Sequence, residues 1–153
     1  MAPQAESPAQ HTGRTARRRA REMALQALYQ WLFTGDDAGV LCAQAAENLD
    51  WAQTDRGHFE ALVHGVIECA AALNDSLQPF LDRPASMLSP VEHALLLIGG
   101  YELMRFPEVP YRVVINEAVE LAKSYGGTDG HKYVNGVLDR LAAQLRPHEV
   151  KKR

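Results

Sequence analysis

The sequence has little cysteine and no long apolar run. Its 153 residues include two cysteines, which are too few for a disulfide framework and suit a reducing compartment. The longest apolar run, residues 94–100, is about a third of the ~20 residues that a membrane-spanning helix needs. The N-terminus lacks the apolar segment of a secretory signal. These absences argue against a secreted disulfide-rich fold and a membrane protein, and they predict a cytoplasmic protein.

Recognisable catalytic and metal-binding motifs are also lacking. His58 and His64 are six residues apart, so on a helix they face in different directions and cannot bind one metal ion. The sequence contains no phosphate-binding glycine loop and no G-x-S-x-G elbow. Acidic pairs such as Glu117 and Glu120 are interpreted as solvated helix faces. We therefore expect no catalytic residue, no metal site, no cofactor and no enzymatic activity.

Charge is distributed unevenly along the chain, although the net charge is only −3. Residues 1–21 contain five arginines and one acid, and residues 146–153 contain four basic residues and one acid. Residues 22–145 contain 7 basic and 17 acidic residues, a net charge of −10. Basic ends can attract a polyanion and an acidic middle can attract a basic protein. Terminal charges can equally serve solubility alone.

The apolar spacing is helical from Thr15 onward and predicts an all-α fold of six or seven helices. The first helix should end at Thr34, the second should run from Asp36-Asp37 to Leu49, and the third should start at Thr54 or Asp55. Residues 1–13 lack this pattern and contain two prolines, which predicts a disordered extension. Residues 14–147 are expected to form one domain, followed by a basic tail over residues 148–153.

Two later segments carry helix-start signals. Ser89 can cap a helix in which Pro90 takes the first position and Glu92 completes a capping box. This helix is apolar on most sides and should lie at the centre of the fold. Its Gly99-Gly100 pair costs about 1 kcal/mol per glycine, which the close approach of another helix would offset. Asp129 is expected to cap the last helix, which ends before Pro147.

The first helix carries a candidate nucleic-acid surface. Arg18 and Tyr29 lie within about 20° of each other around the helix axis and point away from the apolar stripe. Arg21 flanks this face, and Arg17 lies nearer its apolar edge. Guanidinium groups bind phosphates and an aromatic ring stacks on an unpaired base, so the pattern favours single-stranded RNA. The alternative is a solvated arginine run with Tyr29 packed on a neighbouring loop.

A glycine-rich turn, residues 126–130, precedes the last helix and exposes a helix N-terminus that can attract anions. Lys132, Tyr125 and Tyr133 add a cation and two aromatic rings to this turn. Each ring can equally serve helix packing, so this second candidate surface also has a purely structural alternative.

Three motifs together resemble the NusB family of bacterial transcription antitermination factors. They are RRRAREMALQALYQW at residues 17–31, VPYRVVINEAVELAKSYG at residues 109–126 and HKYVNGVLD at residues 131–139. The resemblance extends over about residues 17–147. It implies an all-helical fold of two small bundles packed crosswise and a role without catalysis.

The resemblance also implies partners and site residues. Family members bind the boxA element of nascent ribosomal RNA together with NusE, a small-subunit ribosomal protein, and join other Nus factors on RNA polymerase. Glu92 is expected on the helix that faces NusE. The residues that match the family's RNA-contacting segments are Arg17, Arg18, Arg21, Tyr29, Asp129, Lys132 and Tyr133. Two alternatives remain open: a stand-alone RNA-binding module in ribosome assembly, and a helical protein-interaction adaptor.

Overall fold

The computed structural model describes residues 8–151, with side chains from residue 15 onward, and contains seven α-helices and no strand within that range. This confirms the all-α prediction. None of these helices is long and apolar enough to cross a membrane. The helices are α1 Pro8–Thr34, α2 Ala38–Ala45, α3 Arg56–Leu77, α4 Pro90–Arg105, α5 Tyr111–Tyr125, α6 Gly130–Leu145 and α7 Pro147–Lys151.

Helix α4 is the centre of the fold. It packs against α1 and α3 on one side and against α5 and α6 on the other, so it joins two groups of helices. The short α2 contacts α1 and α3, and α7 contacts α6. Residues 94–100 are all buried, which is why nearly every side of this helix is apolar. The predicted central position of the helix is confirmed.

Gly99 allows the close helix packing that the sequence predicted for the Gly99-Gly100 pair, whereas Gly100 does not. A Cβ atom on Gly99 would lie 2.7 Å from Leu138 Cδ1 of α6, closer than side chains pack. A Cβ atom on Gly100 would make ordinary contacts with Leu73 and Leu141, at 3.4 and 3.5 Å. The loss of helix propensity at Gly99 is therefore matched by packing of the fully buried Leu138.

Local capping signals were correct for α3 and α4 and wrong for α2 and α6. Asp37 precedes α2 without a side-chain cap bond, and only one of the two capping-box bonds predicted for α4 forms. The Ser89 side chain accepts a hydrogen bond from the Glu92 amide, and Asp55 accepts one from the His58 amide. Asp129 precedes α6 but makes no side-chain cap bond. Its φ of −114° and ψ of 14° differ from the extended conformation that directs a capping side chain toward the helix N–H groups.

Two helix boundaries differ from those predicted. The structure extends α1 back to Pro8, so residues 8–13 are helical where disorder was predicted, while residues 1–7 of that extension lie outside the described residues. Helix α2 ends at Ala45, before Leu49, and tight turns follow it. The Leu49 side chain is fully exposed, so no apolar contact continues the helix to that residue.

The C-terminal segment is anchored as helix α7, which includes residues 148–151 of the predicted basic tail. Arg146 donates hydrogen bonds to four backbone carbonyls at the end of α4 and in the following loop, including that of Phe106 at 2.8 Å. Glu149 of α7 accepts bonds from the Tyr111 amide at 2.8 Å and from Arg146 at 3.0 Å. The Tyr111 amide is the main cause of the lowered pKa of Glu149. Residues 152 and 153 of the predicted tail lie outside the described residues.

Candidate nucleic-acid interface

Each arginine of α1 whose side chain is described lies near a carboxylate. Arg17 Nε lies 3.5 Å from Asp55 Oδ2, and Arg19 Nη1 lies 3.2 Å from Asp50 Oδ2. Arg18 and Arg21 pair with acidic residues of α5 and α4. The basic helix is therefore partly neutralised by the acidic remainder of the chain, and its guanidinium groups are oriented by these ion pairs.

Arg21 does not flank the exposed face, and that prediction is wrong. Its side chain is buried, and Nε donates to both Glu102 oxygens at 3.2 and 3.0 Å. Leu25 and Leu28, one and two turns further along α1, are buried as well. Position 21 thus lies on the core face, which is possible for an arginine only because Glu102 pairs with it.

Glu102 is the centre of a buried polar network. Its side chain is 1% exposed, and Oε2 shares a hydrogen bond of 2.5 Å with His58 Nε2. The network therefore joins α1, α3 and α4 inside the core and satisfies the polar groups that burial would otherwise leave unpaired.

Arg18 is exposed as predicted and is held by Glu117 of α5. Nε donates to Oε1 at 3.1 Å and Nη2 donates to Oε2 at 2.8 Å. These hydrogen bonds raise the pKa of Arg18. Glu117, interpreted from sequence as part of a solvated face, is only 15% exposed, whereas Glu120 one turn later is 61% exposed.

Tyr29 lies on the exposed face of α1, beside an apolar hollow. Its ring centroid is 5.1 Å from that of the exposed Phe33. Tyr29, Val91 and Tyr125 are among the residues that line the hollow. The Tyr125 hydroxyl donates a hydrogen bond to Glu22 of α1, and this bond raises the pKa of Tyr125. The end of α5 is thereby attached to the exposed face of α1.

Asp129 and Lys132 are both exposed at the start of α6. The Lys132 ammonium group is 3.5 Å from the Asp129 carboxylate. The two charges form an i,i+3 pair in water, a geometry that contributes little to stability. Lys132 is therefore free to exchange this carboxylate for a phosphate.

Tyr133 is only half-buried, and it adjoins two charged side chains that the sequence analysis missed. Its hydroxyl donates to Asp82 at 3.0 Å, and the Arg83 guanidinium lies 5.3 Å from the centre of its ring. Hydrogen bonds from Arg83 are the main cause of the fall in the pKa of Asp82 to about 2. No sequence pattern surrounds these two residues, so only their contact with α6 could reveal Arg83 as a further cation of this surface.

Glu92 connects the first turn of α4 with the first turn of α6. A Cβ atom on Gly130 would lie 2.5 Å from Glu92 Oε2, so the carboxylate covers the first residue of α6. A negative charge is favourable at a helix N-terminus. Glu92 also follows Val91, which lines the apolar hollow beside Tyr29.

We call the predicted RNA-contacting residues that lie outside the core the RNA strip. They are Arg17, Arg18 and Tyr29 of α1 and Lys132 and Tyr133 at the start of α6. The RNA strip combines exposed cations with accessible aromatic rings, the two groups that bind the backbone and bases of single-stranded nucleic acid. Among the described residues, no three His, Cys, Asp or Glu side chains are grouped so that they could hold a metal ion.

Comparisons of sequence agree with this geometry. The family model of the NusB family matches residues 18–143. The chain is 58% identical to the transcription antitermination protein NusB of Ralstonia nicotianae over 137 residues, which cover 90% of this chain and 88% of the relative. It is 54% identical to that of Bordetella pertussis over 146 residues, which cover 93% and 95%.

Solved structures extend the likeness to the fold. T. maritima NusB superposes with a TM-score of 0.74 and 31% identity, over 88% of this chain and 94% of that one. A NusB chain from a complex of antitermination factors NusB and NusE with double-stranded RNA superposes with a TM-score of 0.73 and 25% identity, over 83% and 96%. Three motifs, the helical architecture and identities above 50% over most of its length show that the chain belongs to the NusB family.

Proposed function

We propose that this chain is a cytoplasmic transcription antitermination factor that binds boxA-type RNA of nascent ribosomal transcripts. It does so together with NusE, and the assembly joins other Nus factors on RNA polymerase. The observation that supports the RNA part of the proposal is that α1 and the start of α6 each present cations beside aromatic rings, the residues of the RNA strip. Arg21 is left out of the RNA contacts because Glu102 holds it in the core.

Phosphate contacts on the strip come from Arg17, Arg18 and Lys132, with Arg83 as an added cation. Tyr29 and Tyr133 supply rings on which bases stack. Asp129 lies beside Lys132 and places one negative charge on the path of the RNA. The strip thus binds mainly through backbone charge and stacking.

The apolar hollow beside Tyr29 is the proposed docking face for NusE. Phe33 is exposed at its edge, and Val91 and Tyr125 line it. Exposed apolar surface of this kind marks protein–protein contact. Glu92 adjoins the hollow and adds an acidic group, which suits a basic ribosomal protein and speeds its encounter with the acidic middle of the chain.

Fluorescence anisotropy with labelled leader RNA tests the proposal. We expect tighter binding to a single strand containing boxA than to a scrambled strand of equal length. NusE should tighten RNA binding further. If NusE binds the RNA-bound protein more tightly than the free protein, it must raise the affinity for RNA by the same factor. A double-stranded RNA of equal length shows whether pairing matters, and a purified transcription reaction measures terminator readthrough.

The outcomes separate the three readings of the sequence. Readthrough that rises with added protein supports antitermination. Specific RNA binding without readthrough in the complete reaction would favour a role in ribosome assembly. NusE binding without RNA binding would favour a protein-interaction adaptor.

Asp129→Asn is expected to tighten RNA binding about threefold at low salt. Two like charges ~7 Å apart in water repel by ~0.6 kcal/mol, and the substitution removes one of them. Since Asp129 makes no side-chain cap bond, thermal stability should hardly change. Titrations at several salt concentrations measure the effect, which should shrink as salt rises.

The matched control is Asp139→Asn, the same charge change within α6 and about 15 Å further along the helix axis than Asp129. It should leave affinity nearly unchanged. Equal affinity of Asp129→Asn and wild type would mean that RNA does not pass this residue. A loss of affinity would mean instead that the carboxylate accepts hydrogen bonds from the RNA.

A further inference from the structure

The Arg18–Glu117 pair leaves one edge of the guanidinium group free. An arginine has five N–H donors, and Glu117 occupies the edge formed by Nε and Nη2. The edge formed by Nη1 and the second N–H of Nη2 makes no hydrogen bond to Glu117. That edge is the other two-donor face of the guanidinium group and matches a phosphate as well as the first does. The Arg18 side chain is 58% exposed, so solvent and ligands can reach it.

Glu117 is itself fixed by the fold. It lies on α5 among the buried residues Val114, Ala118 and Leu121, and Arg21 Nη1 is 3.8 Å from its Oε1 atom. Arg21 is in turn held by the buried Glu102. The carboxylate that contacts Arg18 is therefore tied to the core of the protein, and its position does not depend on bound RNA.

We propose that Glu117 is a positioning residue for RNA binding, which holds Arg18 so that its free edge points toward an RNA phosphate. This role rests on the proposed function. An arginine that is already oriented loses less side-chain entropy when RNA binds, so the RNA is bound more tightly. Glu117 and the phosphate use different edges of the guanidinium group, so Glu117 supports the contact and does not compete with it.

The sign of a charge-removing substitution distinguishes support from competition. Glu117→Gln removes a negative charge near RNA, which by charge alone would tighten binding. Positioning predicts the opposite, a loss of about two- to tenfold, because one immobilised side chain is set free. Glu120→Gln is the matched control on the same helix: Glu120 is exposed and pairs with Lys123, so its removal should leave affinity equal or slightly higher.

Glu117→Asp gives a second, charge-conserving variant. It shortens the side chain by one methylene and draws the carboxylate away from Arg18, so it should also weaken RNA binding. In an Arg18→Ala background, both Glu117 substitutions should lose their effect, because a double-mutant cycle isolates the coupling between two residues. Circular dichroism of every variant verifies that the helices are intact before the RNA titrations are compared.

The results distinguish failure of the proposed RNA-binding function from failure of the positioning role of Glu117. Wild type that fails to bind leader RNA, alone or with NusE, overturns the proposed function and with it this role. Wild type that binds, with Glu117→Gln binding more tightly, overturns only the positioning role and makes Glu117 a competitor. A weakening that persists unchanged in the Arg18→Ala background overturns it too, since Glu117 would then act elsewhere.

Discussion

Replacing Glu102 with alanine is expected to lower the free energy of unfolding by about 3–5 kcal/mol, the usual effect of removing one partner from a buried ion pair. Both Glu102 oxygens accept hydrogen bonds from Arg21, and one also shares a hydrogen bond with His58. The variant would leave a buried guanidinium group and a buried imidazole without their partner. Small domains are stable by only ~5–15 kcal/mol, so the change should be obvious in urea denaturation.

Two further variants show that the loss comes from the buried network. Glu120→Ala removes an exposed carboxylate and should change stability by no more than ~0.5 kcal/mol. Arg21→Met combined with Glu102→Gln removes the charged pair but leaves a hydrogen-bond partner for His58, so it should recover much of the loss. A Glu102→Ala variant as stable as Glu120→Ala would refute a structural role for the network.

Replacing Arg17 and Arg18 together with alanine is expected to weaken RNA binding about 25-fold at 0.1 M salt. Each contact with a single-strand phosphate adds ~0.7 to the slope of log affinity against log salt, which is about fivefold per contact at that concentration. The slope should accordingly fall by about 1.4. Arg21 stays in place because its loss would also unfold the core, so affinity and stability remain separate measurements.

Arg140→Ala is the control for this double variant. Arg140 is exposed near the end of α6, where its Nε donates to the Gly136 carbonyl of the same helix at 3.2 Å. Its loss should alter neither affinity nor slope by more than a small amount. An unchanged slope in the Arg17/Arg18 variant would place the RNA on a different face of the protein.

Much of the fold could be predicted because its signals are local. The Ser89 cap and the buried run over residues 94–100 depend on neighbours within a few positions, and both were confirmed. The exposure of Arg18 and Tyr29 followed from helical periodicity alone. The family motifs are local signals as well, because each is a short run of adjacent residues.

Other features depend on residues far apart in the chain. Arg21 is buried because Glu102, 81 positions away, lies opposite it across the α1–α4 contact. Arg83 joins the RNA strip because it lies over Tyr133, and Asp129 fails as a cap because of its backbone angles. Periodicity assigns a residue to a helix face but does not say which helix covers that face.

The sequence by itself thus determined the all-α class, the central position of α4 and the family. Only the tertiary structure decided which arginines are available to RNA and what holds them. The physical reason is that the position of a charged side chain depends on the residue it pairs with. Glu102 holds Arg21 in the core, whereas Glu117 holds Arg18 at the surface. Those partners are chosen by the packing of α1 against α4 and α5.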